Sequence, residues 1–168
     1  MPLLARDVMQ TALVTVRPDE TLADLESLLL RERISGVPVL DGGQLVGLVS
    51  RSDVVRALSI QRTLAEVQLE TFQEAETAST APEVEARLAE RERDQAAETV
   101  ARRLATLRVR DAMVHAVISV RADAPLRDVA RALVGPRAHR VVVLEGQRLA
   151  GIITSLDLVG LIADGRVS

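Results

Sequence analysis

The sequence predicts an α/β fold made of two copies of one small unit, with a helical insertion between them. Residues 6–58 align without a gap on residues 110–162 at an offset of 104 positions, and 19 of the 53 pairs are identical. Each copy contains β-branched runs, an amphipathic stripe and a glycine turn, in the order strand, helix, strand, strand, helix. Because a repeat of this size buries little core alone, we expect the two β-α-β-β-α repeats to pack about a pseudo-two-fold axis, with two equivalent clefts between them.

The first copy supplies five predicted elements: a strand at Leu13–Val16, a helix beginning near Leu22, strands at Val37–Leu40 and Leu45–Val49, and a helix at Ser52–Leu58. Leucines at helical spacing predict the first helix. Thr21, with Asp24 three residues later, resembles a capping box at its start. The turn Asp41-Gly42-Gly43 between the two later strands is a hairpin signal.

The second copy repeats this order: a strand at Val117–Val120, a helix with Val129, Leu133 and Val134 on one side, strands at Val141–Leu144 and Leu149–Ile153, and a helix at Leu156–Ala163. The turn Glu145-Gly146-Gln147 again separates the last two strands. In each copy we expect the strand-helix-strand connection to be a right-handed crossover.

Residues 59–108 match neither copy. Their pattern predicts two charged helices with a break near Ser79–Pro82. We therefore divide the chain into three parts, which are repeat 1 at 1–58, the insertion at 59–108 and repeat 2 at 109–168. Residues 59–98 carry a net charge of −6, whereas the remainder of the chain carries +3. The insertion is either a solvated spacer or an arm that mediates dimerisation or docks a partner.

Composition excludes several classes of function. The chain has 168 residues, of which 48% are hydrophobic, with no cysteine and with Phe72 as the sole aromatic residue. Disulfides and thiolate chemistry are therefore excluded, and base-stacking platforms for nucleic acid are missing. No run approaches the ~20 apolar residues that span a bilayer, and the first residues lack a signal pattern. We expect a cytoplasmic protein that does not bind nucleic acid, whose mildly basic repeats suit an anionic small molecule.

Residues 34–58 and 139–162 closely resemble the second half of a CBS domain, and residues 6–25 and 110–129 resemble its first half. A tandem pair of this kind, or Bateman module, typically binds adenosine nucleotides or S-adenosylmethionine in the clefts between repeats. The resemblance also implies dimerisation, regulation of attached or partner proteins, and no catalytic activity. The connection between repeats is usually much shorter than 59–108.

Each copy carries an S/T-x-x-D tetrad where the second hairpin strand meets the last helix: Ser50-Arg51-Ser52-Asp53 and Thr154-Ser155-Leu156-Asp157. A hydroxyl at a helix start can bind phosphate with the help of the helix dipole, and a carboxylate three residues later can accept the ribose hydroxyls. The same tetrad is also a capping box. Both interpretations stay open, and the resemblance favours ligand contact in at least one copy.

His139-Arg140 opens the hairpin of the second copy. The run HRVVV resembles a motif of the AMP-sensing gamma subunits of AMP-activated protein kinase, where the basic pair reaches nucleotide phosphates. Arginine can grip phosphate with two parallel hydrogen bonds. The alternative is a pair of exposed residues at the start of a strand.

The resemblance assigns residues to each cleft. The first cleft, favoured for the adenine ring, contains Thr154, Asp157, Thr11, Val14, Ile34, Ser35 and Gly36, with His139 and Arg140 beside the axis near the phosphate. The second cleft contains Ser50, Asp53, His115, Ile118, Ala138 and His139.

The sequence therefore predicts a stand-alone regulatory module that binds AMP, ADP or ATP, with S-adenosylmethionine as the second choice of ligand, and modulates an unidentified partner. We expect a homodimer without a membrane span. We expect no cofactor, no metal site and no catalytic residue, since phosphate-loop, dinucleotide-binding and nucleophile motifs are absent from the sequence. The alternative is a ligand-free dimerisation scaffold whose helical insertion holds a partner.

Overall fold

The computed structural model describes residues 3–59, 82–135 and 138–166. Within these ranges a 3-10 turn at Ala5–Asp7 is followed by α1 (Leu22–Arg31), β1 (Gly36–Asp41), β2 (Gln44–Ser50), α2 (residues 51–59), α3 (Pro82–Thr106), α4 (Val109–Ala112), β3 (Ser119–Arg121), α5 (Leu126–Val134), β4 (Arg140–Glu145), β5 (Arg148–Thr154) and α6 (Ser155–Ala163). The α/β class and the two hairpin-containing repeats are confirmed.

The second copy forms a three-stranded sheet in the order β3-β4-β5. Strands β3 and β4 are parallel, and β4 and β5 are antiparallel with a register shift between Val143 and Leu144. Helix α5 packs against β3 and β4, and α6 packs against β5. The buried cluster beneath the helices consists of Ala5, Val129, Leu133, Val141, Val143 and Ile153.

The first copy forms the two-stranded sheet β1-β2. Gly42 and Gly43 at its turn have φ of +54° and +83°, which is the backbone that a two-residue type I′ hairpin turn requires. Helix α1 begins after Thr21, whose hydroxyl oxygen accepts the N–H of Asp24 at 3.0 Å. The predicted cap of this helix is confirmed.

The strand predicted at Leu13–Val16 is wrong in extent, because only Val16 makes a parallel bridge, to Val39. In the second copy, Val142 donates to Ile118 at 3.0 Å and Ala122 donates to Leu144 at 3.0 Å.

The corresponding donor positions in the first copy are Pro38 and Pro18, and proline has no N–H to donate. The two prolines therefore remove two ladder bonds and reduce the strand to a bridge. Its counterpart, predicted at Val117–Val120, lies at Ser119–Arg121.

The amino-terminal segment of each repeat is bound by the other repeat. At the first segment, Ala5 donates to Ala124 (2.8 Å), Arg6 to Ala122 (3.0 Å) and Leu126 to Leu3 (3.0 Å). At the equivalent positions 104 residues away, Val109 donates to Glu20 (2.9 Å), Arg110 to Pro18 (3.0 Å) and Leu22 to Leu107 (3.0 Å). The repeats thus exchange their first segments reciprocally.

The same exchange covers the outer strand of each hairpin. Gln10 and Ile152 donate to one another's carbonyls at 2.9 and 3.1 Å, and Val114 and Leu48 do the same at 2.8 and 3.0 Å. These antiparallel bridges again lie at equivalent positions. Each first segment is therefore bonded at one end to the start of α5 or α1 and at the other end to the outer strand β5 or β2.

Contacts divide the chain into two compact units. The first contains Met1–Arg17, Val37–Leu48 and Val114–Ser168, and the second contains Pro18–Gly36 and Val49–Met113. Each unit includes parts of both sequence repeats, as the exchange of first segments requires. The repeat boundaries at 58/59 and 108/109 and the pseudo-two-fold axis stay predictions.

The second helix predicted in the insertion is confirmed as α3, which begins at Pro82 beyond the predicted break. Its 25 residues give a length of about 37 Å, and α3 packs against α1. The first predicted insertion helix lies in residues 60–81, outside the described residues. Across the described ranges, no helix is both long and apolar enough to cross a membrane.

The exchanged segment can be tested at Gly151. A Cβ placed there would lie 2.6 Å from the Met9 sulfur and 2.8 Å from its Cβ. Gly151→Ala should therefore lower the free energy of unfolding by about 1–3 kcal/mol through overpacking, measured by urea denaturation. The matched control is Gly160→Ala in α6, where an added Cβ meets nothing within 4 Å, so stability should be unchanged or raised by up to about 1 kcal/mol. Met9→Ala should partly rescue Gly151→Ala, and equal effects of the two glycine substitutions would contradict this packing.

Candidate functional site

The second tetrad forms a reciprocal cap at the start of α6. The Asp157 Oδ2 atom accepts the backbone N–H of Thr154 at 2.6 Å and its hydroxyl at 2.7 Å, while the Thr154 hydroxyl oxygen accepts the N–H of Asp157 at 3.2 Å. The capping-box interpretation is confirmed for this copy. The hydroxyl proton of Thr154 is directed at Asp157.

The first tetrad makes the corresponding two bonds to its aspartate at the start of α2. The Asp53 Oδ2 atom accepts the backbone N–H of Ser50 at 2.9 Å and its hydroxyl at 2.5 Å. A second hydroxyl, that of Ser52, lies 2.9 Å from the Ser50 Oγ. In both copies the cap therefore occupies Oδ2, and any ligand contact by the aspartate falls to Oδ1.

The Oδ1 atoms of the two aspartates have different partners. The Gln10 side-chain amide donates to Asp157 Oδ1 at 2.8 Å. By contrast, Asp53 Oδ1 pairs with the guanidinium of Arg56, one helical turn later on α2. The Asp53 side chain is only 13% exposed, whereas that of Arg56 is 57% exposed.

A second equivalent contact places the start of each hairpin beside a tetrad. Ser155 donates its N–H to the carbonyl of His139 at 3.1 Å, and Arg51 donates its N–H to the carbonyl of Ser35 at 3.1 Å. In addition, Arg140 is the register partner of Thr154 in the β4-β5 ladder. One unit therefore gathers Thr154, Asp157, Gln10, His139 and Arg140, and the other gathers Ser50, Asp53, Arg56 and Ser35.

The remaining predicted site residues vary in exposure. Thr11, Ser35, His115 and His139 are exposed, whereas Val14, Ile34, Gly36 and Arg140 are half-buried. Ile118 and Ala138 are half-buried and pack against the core cluster of Ala5, Val129 and their neighbours. Each predicted cleft draws residues from both units, so the composition of the clefts stays a prediction.

Sequence reasoning missed Gln10 and Arg56. Arg56 had a local signal, because an acid and a base three residues apart on a helix commonly pair. Gln10 had none, since it lies 147 positions from Asp157 and reaches it through the exchanged segment. Comparison of the copies does mark both positions, because their counterparts are Val114 and Gly160.

A separate hollow of about 180 Å³ is bordered by Arg6, Arg121, Asp123 and Glu145. The Arg121 guanidinium donates to both oxygens of Asp123 at 2.9 and 3.0 Å. These hydrogen bonds hold the pKa of Asp123 below its ordinary value and raise the pKa of Arg121. Two bases and two acids balance in charge there, so the hollow is not an anion site. Among the described residues, no three histidine, aspartate or glutamate side chains gather as a metal site would require.

The CBS domain family model matches residues 5–60 and residues 109–164. An uncharacterized protein of Methanocaldococcus jannaschii, MJ1426, is 30% identical over 170 residues, which cover 94% of this chain and 89% of that protein. Each range matched by the family model includes one tetrad and most of one exchanged segment.

Solved structures of two such proteins illustrate the shared fold. The first is CBSX2 of Arabidopsis thaliana, with a TM-score of 0.69 at 22% identity, covering 100% of both chains; its complex with AMP has a TM-score of 0.66 and covers 98% of both chains. The second is the CBS domain pair of protein MJ0100 in complex with 5-methylthioadenosine and S-adenosyl-L-methionine, with a TM-score of 0.68 at 18% identity, covering 98% of this chain and 99% of that one. The chain belongs to the CBS domain family and carries two CBS domains.

Proposed function

We propose that this CBS pair binds an adenosine nucleotide, AMP, ADP or ATP, and acts as a regulatory module that modulates a partner protein. Two relatives of the same fold were crystallised with AMP and with 5-methylthioadenosine and S-adenosyl-L-methionine, ligands that share adenine and a ribose. The observation that carries the proposal is the Asp157 carboxylate, which the cap fixes through Oδ2 while Oδ1 bonds a neutral side chain.

One ribose hydroxyl would donate to Asp157 Oδ1 beside the Gln10 amide, since a carboxylate oxygen can accept two hydrogen bonds. The phosphate would lie toward the start of α6, where the helix dipole favours an anion and where His139 and Arg140 adjoin Thr154. Apolar Val14 and Ile34 would hold the adenine ring. The remaining proposed contacts of this cleft are Thr11, Ser35 and Gly36, and those of the second cleft are Ser50, Asp53, His115, Ile118 and Ala138.

Regulation requires unequal affinity of the nucleotide for two conformations of the module. Helix α3 would transmit the conformational change to the partner, because it packs on α1. In addition, the Leu107 carbonyl, which follows the end of α3, accepts the N–H of Leu22, the first residue of α1. Any rearrangement of α1 would therefore move α3.

A ligand-free scaffold is the alternative function. It is favoured by an apolar groove of about 250 Å³ between α1, α2 and α3, lined by Leu29, Leu30, Val54, Val55, Leu58, Val100 and Leu104. The two functions differ in one measurable property, which is nucleotide binding by the chain.

Thermal unfolding with AMP, ADP, ATP and S-adenosylmethionine distinguishes these functions. A ligand at about 100 times its Kd should stabilise the wild type by about 2.7 kcal/mol. Asp157→Asn should lose the share of this gain that the Asp157 site contributes, with little change in the ligand-free melting temperature, because asparagine keeps an acceptor for the cap but loses the carboxylate. The matched control Asp164→Asn, at the exposed end of α6, should retain the full gain.

If none of the four compounds stabilises the wild type, the nucleotide proposal is wrong and the ligand-free scaffold is favoured. Full stabilisation of Asp157→Asn would instead show that the ligand binds elsewhere.

We also propose that the chain forms a homodimer through the α5–α6 surface, defined as Val134, Leu156, Val159 and Ile162. These side chains are 76%, 77%, 58% and 64% exposed, and α5 and α6 pack side by side. Contiguous exposed aliphatic side chains commonly mark interaction sites. The counterparts of Val134 and Val159 in the first repeat are Leu30 and Val55, which are also 59% and 62% exposed. Both repeats therefore present an exposed apolar surface, which favours a contact between the repeats of two chains.

Val159→Glu should dissociate the dimer, because it places a charge in an apolar interface. Light scattering after size exclusion should give about twice the chain mass of 18.2 kDa for the wild type and the single mass for the variant. Gln147→Glu, which adds the same charge at the exposed β4-β5 turn, should remain dimeric. A monomeric wild type, or a dimeric Val159→Glu, would contradict this interface.

A further inference from the structure

We infer that the two tetrads are unequal nucleotide sites, with the Asp157 site binding more tightly than the Asp53 site because Gln10 and Arg56 give the two carboxylates partners of different charge. This inference rests on the proposed function and identifies the residues that determine which of the two clefts binds the nucleotide more tightly.

The bonds that the cap makes to Oδ2 are of the same kind in both copies. In each, Oδ2 accepts one backbone N–H and one hydroxyl, at 2.6 and 2.7 Å for Asp157 and at 2.9 and 2.5 Å for Asp53. Oδ2 is therefore occupied in the same way at both sites, and the oxygen left for a ligand is Oδ1, whose partners differ.

At Asp157, the partner of Oδ1 is the neutral amide of Gln10, which is exposed and held in place by the two backbone bonds to Ile152. An amide carries both donors and an acceptor. When a ribose hydroxyl donates to Oδ1, Gln10 can share that oxygen or turn its carbonyl toward the second hydroxyl. The site gains ligand contacts without losing an ion pair.

At Asp53, the partner of Oδ1 is the guanidinium of Arg56. Arginine has no acceptor to offer a hydroxyl, and its hydrogen bond to a carboxylate is roughly twice as strong as a neutral one. Displacing it would leave a side chain that is 13% exposed without its counter-charge. Ribose binding at Asp53 therefore competes with an ion pair that Asp157 does not have.

Neither partner is present in the other copy. The position of Arg56 corresponds to Gly160, and the position of Gln10 corresponds to Val114. Because Oδ2 is occupied alike in both copies and the partners of Oδ1 differ, exchanging the charges of these two partners should reverse which site binds more tightly.

The test is isothermal titration of the full chain with AMP. The wild type should bind one AMP per chain tightly and a second roughly tenfold more weakly, which corresponds to about 1.4 kcal/mol. Asp157→Asn should remove the tight event, and Asp53→Asn should leave it. Arg56→Gln, which gives Asp53 a neutral amide, should strengthen the second event roughly tenfold, and Gln10→Arg should weaken the first by a similar factor.

The matched control is Arg131→Gln on α5, which removes an exposed arginine whose partner is Asp128 at 3.5 Å. Both binding events should be unchanged in it, and melting temperatures establish that every variant is folded. Two equal sites in the wild type, or an unchanged second event in Arg56→Gln, would overturn the inference and leave the proposed function standing. Absence of binding by AMP, ADP and ATP to the wild type would overturn both.

Discussion

The reciprocal exchange of first segments is the constraint on which the rest of this molecule depends. Residues 3–10 complete the second copy, and residues 107–114 complete the first, through backbone bonds that recur at an offset of 104 positions. Asp7 and Asp111 support the exchange by accepting the N–H of Leu4 and of Arg108 at 2.9 and 2.8 Å. Backbone bonds depend little on side-chain identity, so they persist although the copies have diverged.

The exchange also determines where the functional groups lie. Gln10 reaches Asp157 only because residue 10 is bridged to Ile152 on β5, whereas Arg56 reaches Asp53 within α2. One aspartate is therefore supported from the other repeat and its counterpart from its own helix. The two tetrads of the repeated sequence therefore differ in the single side chain that contacts Oδ1, beside a similar set of bonds to Oδ2.

Local patterns in the sequence were sufficient for the hairpins, for helices α1, α2, α3, α5 and α6, and for the tetrad caps, because each depends on residues within one turn or one strand pair. The predicted strand at Leu13–Val16 was too long because Pro18 and Pro38, which lie outside it, have no N–H to donate to the hydrogen bonds that would extend the pairing. The contacts of Gln10 and Met9 could not be predicted, since they depend on which repeat receives the first segment. The Asp53–Arg56 pair could have been predicted from its spacing, and the membership of the two clefts rests on the family resemblance.

The bridges at Gln10 and Val114 have a consequence for solubility. An open sheet edge presents unpaired N–H and C=O groups that invite pairing with other chains. Here Gln10 pairs with β5 and Val114 pairs with β2, so each repeat covers part of the edge strand of the other repeat. Selection against aggregation would then preserve both bridges even where the two tetrads diverge.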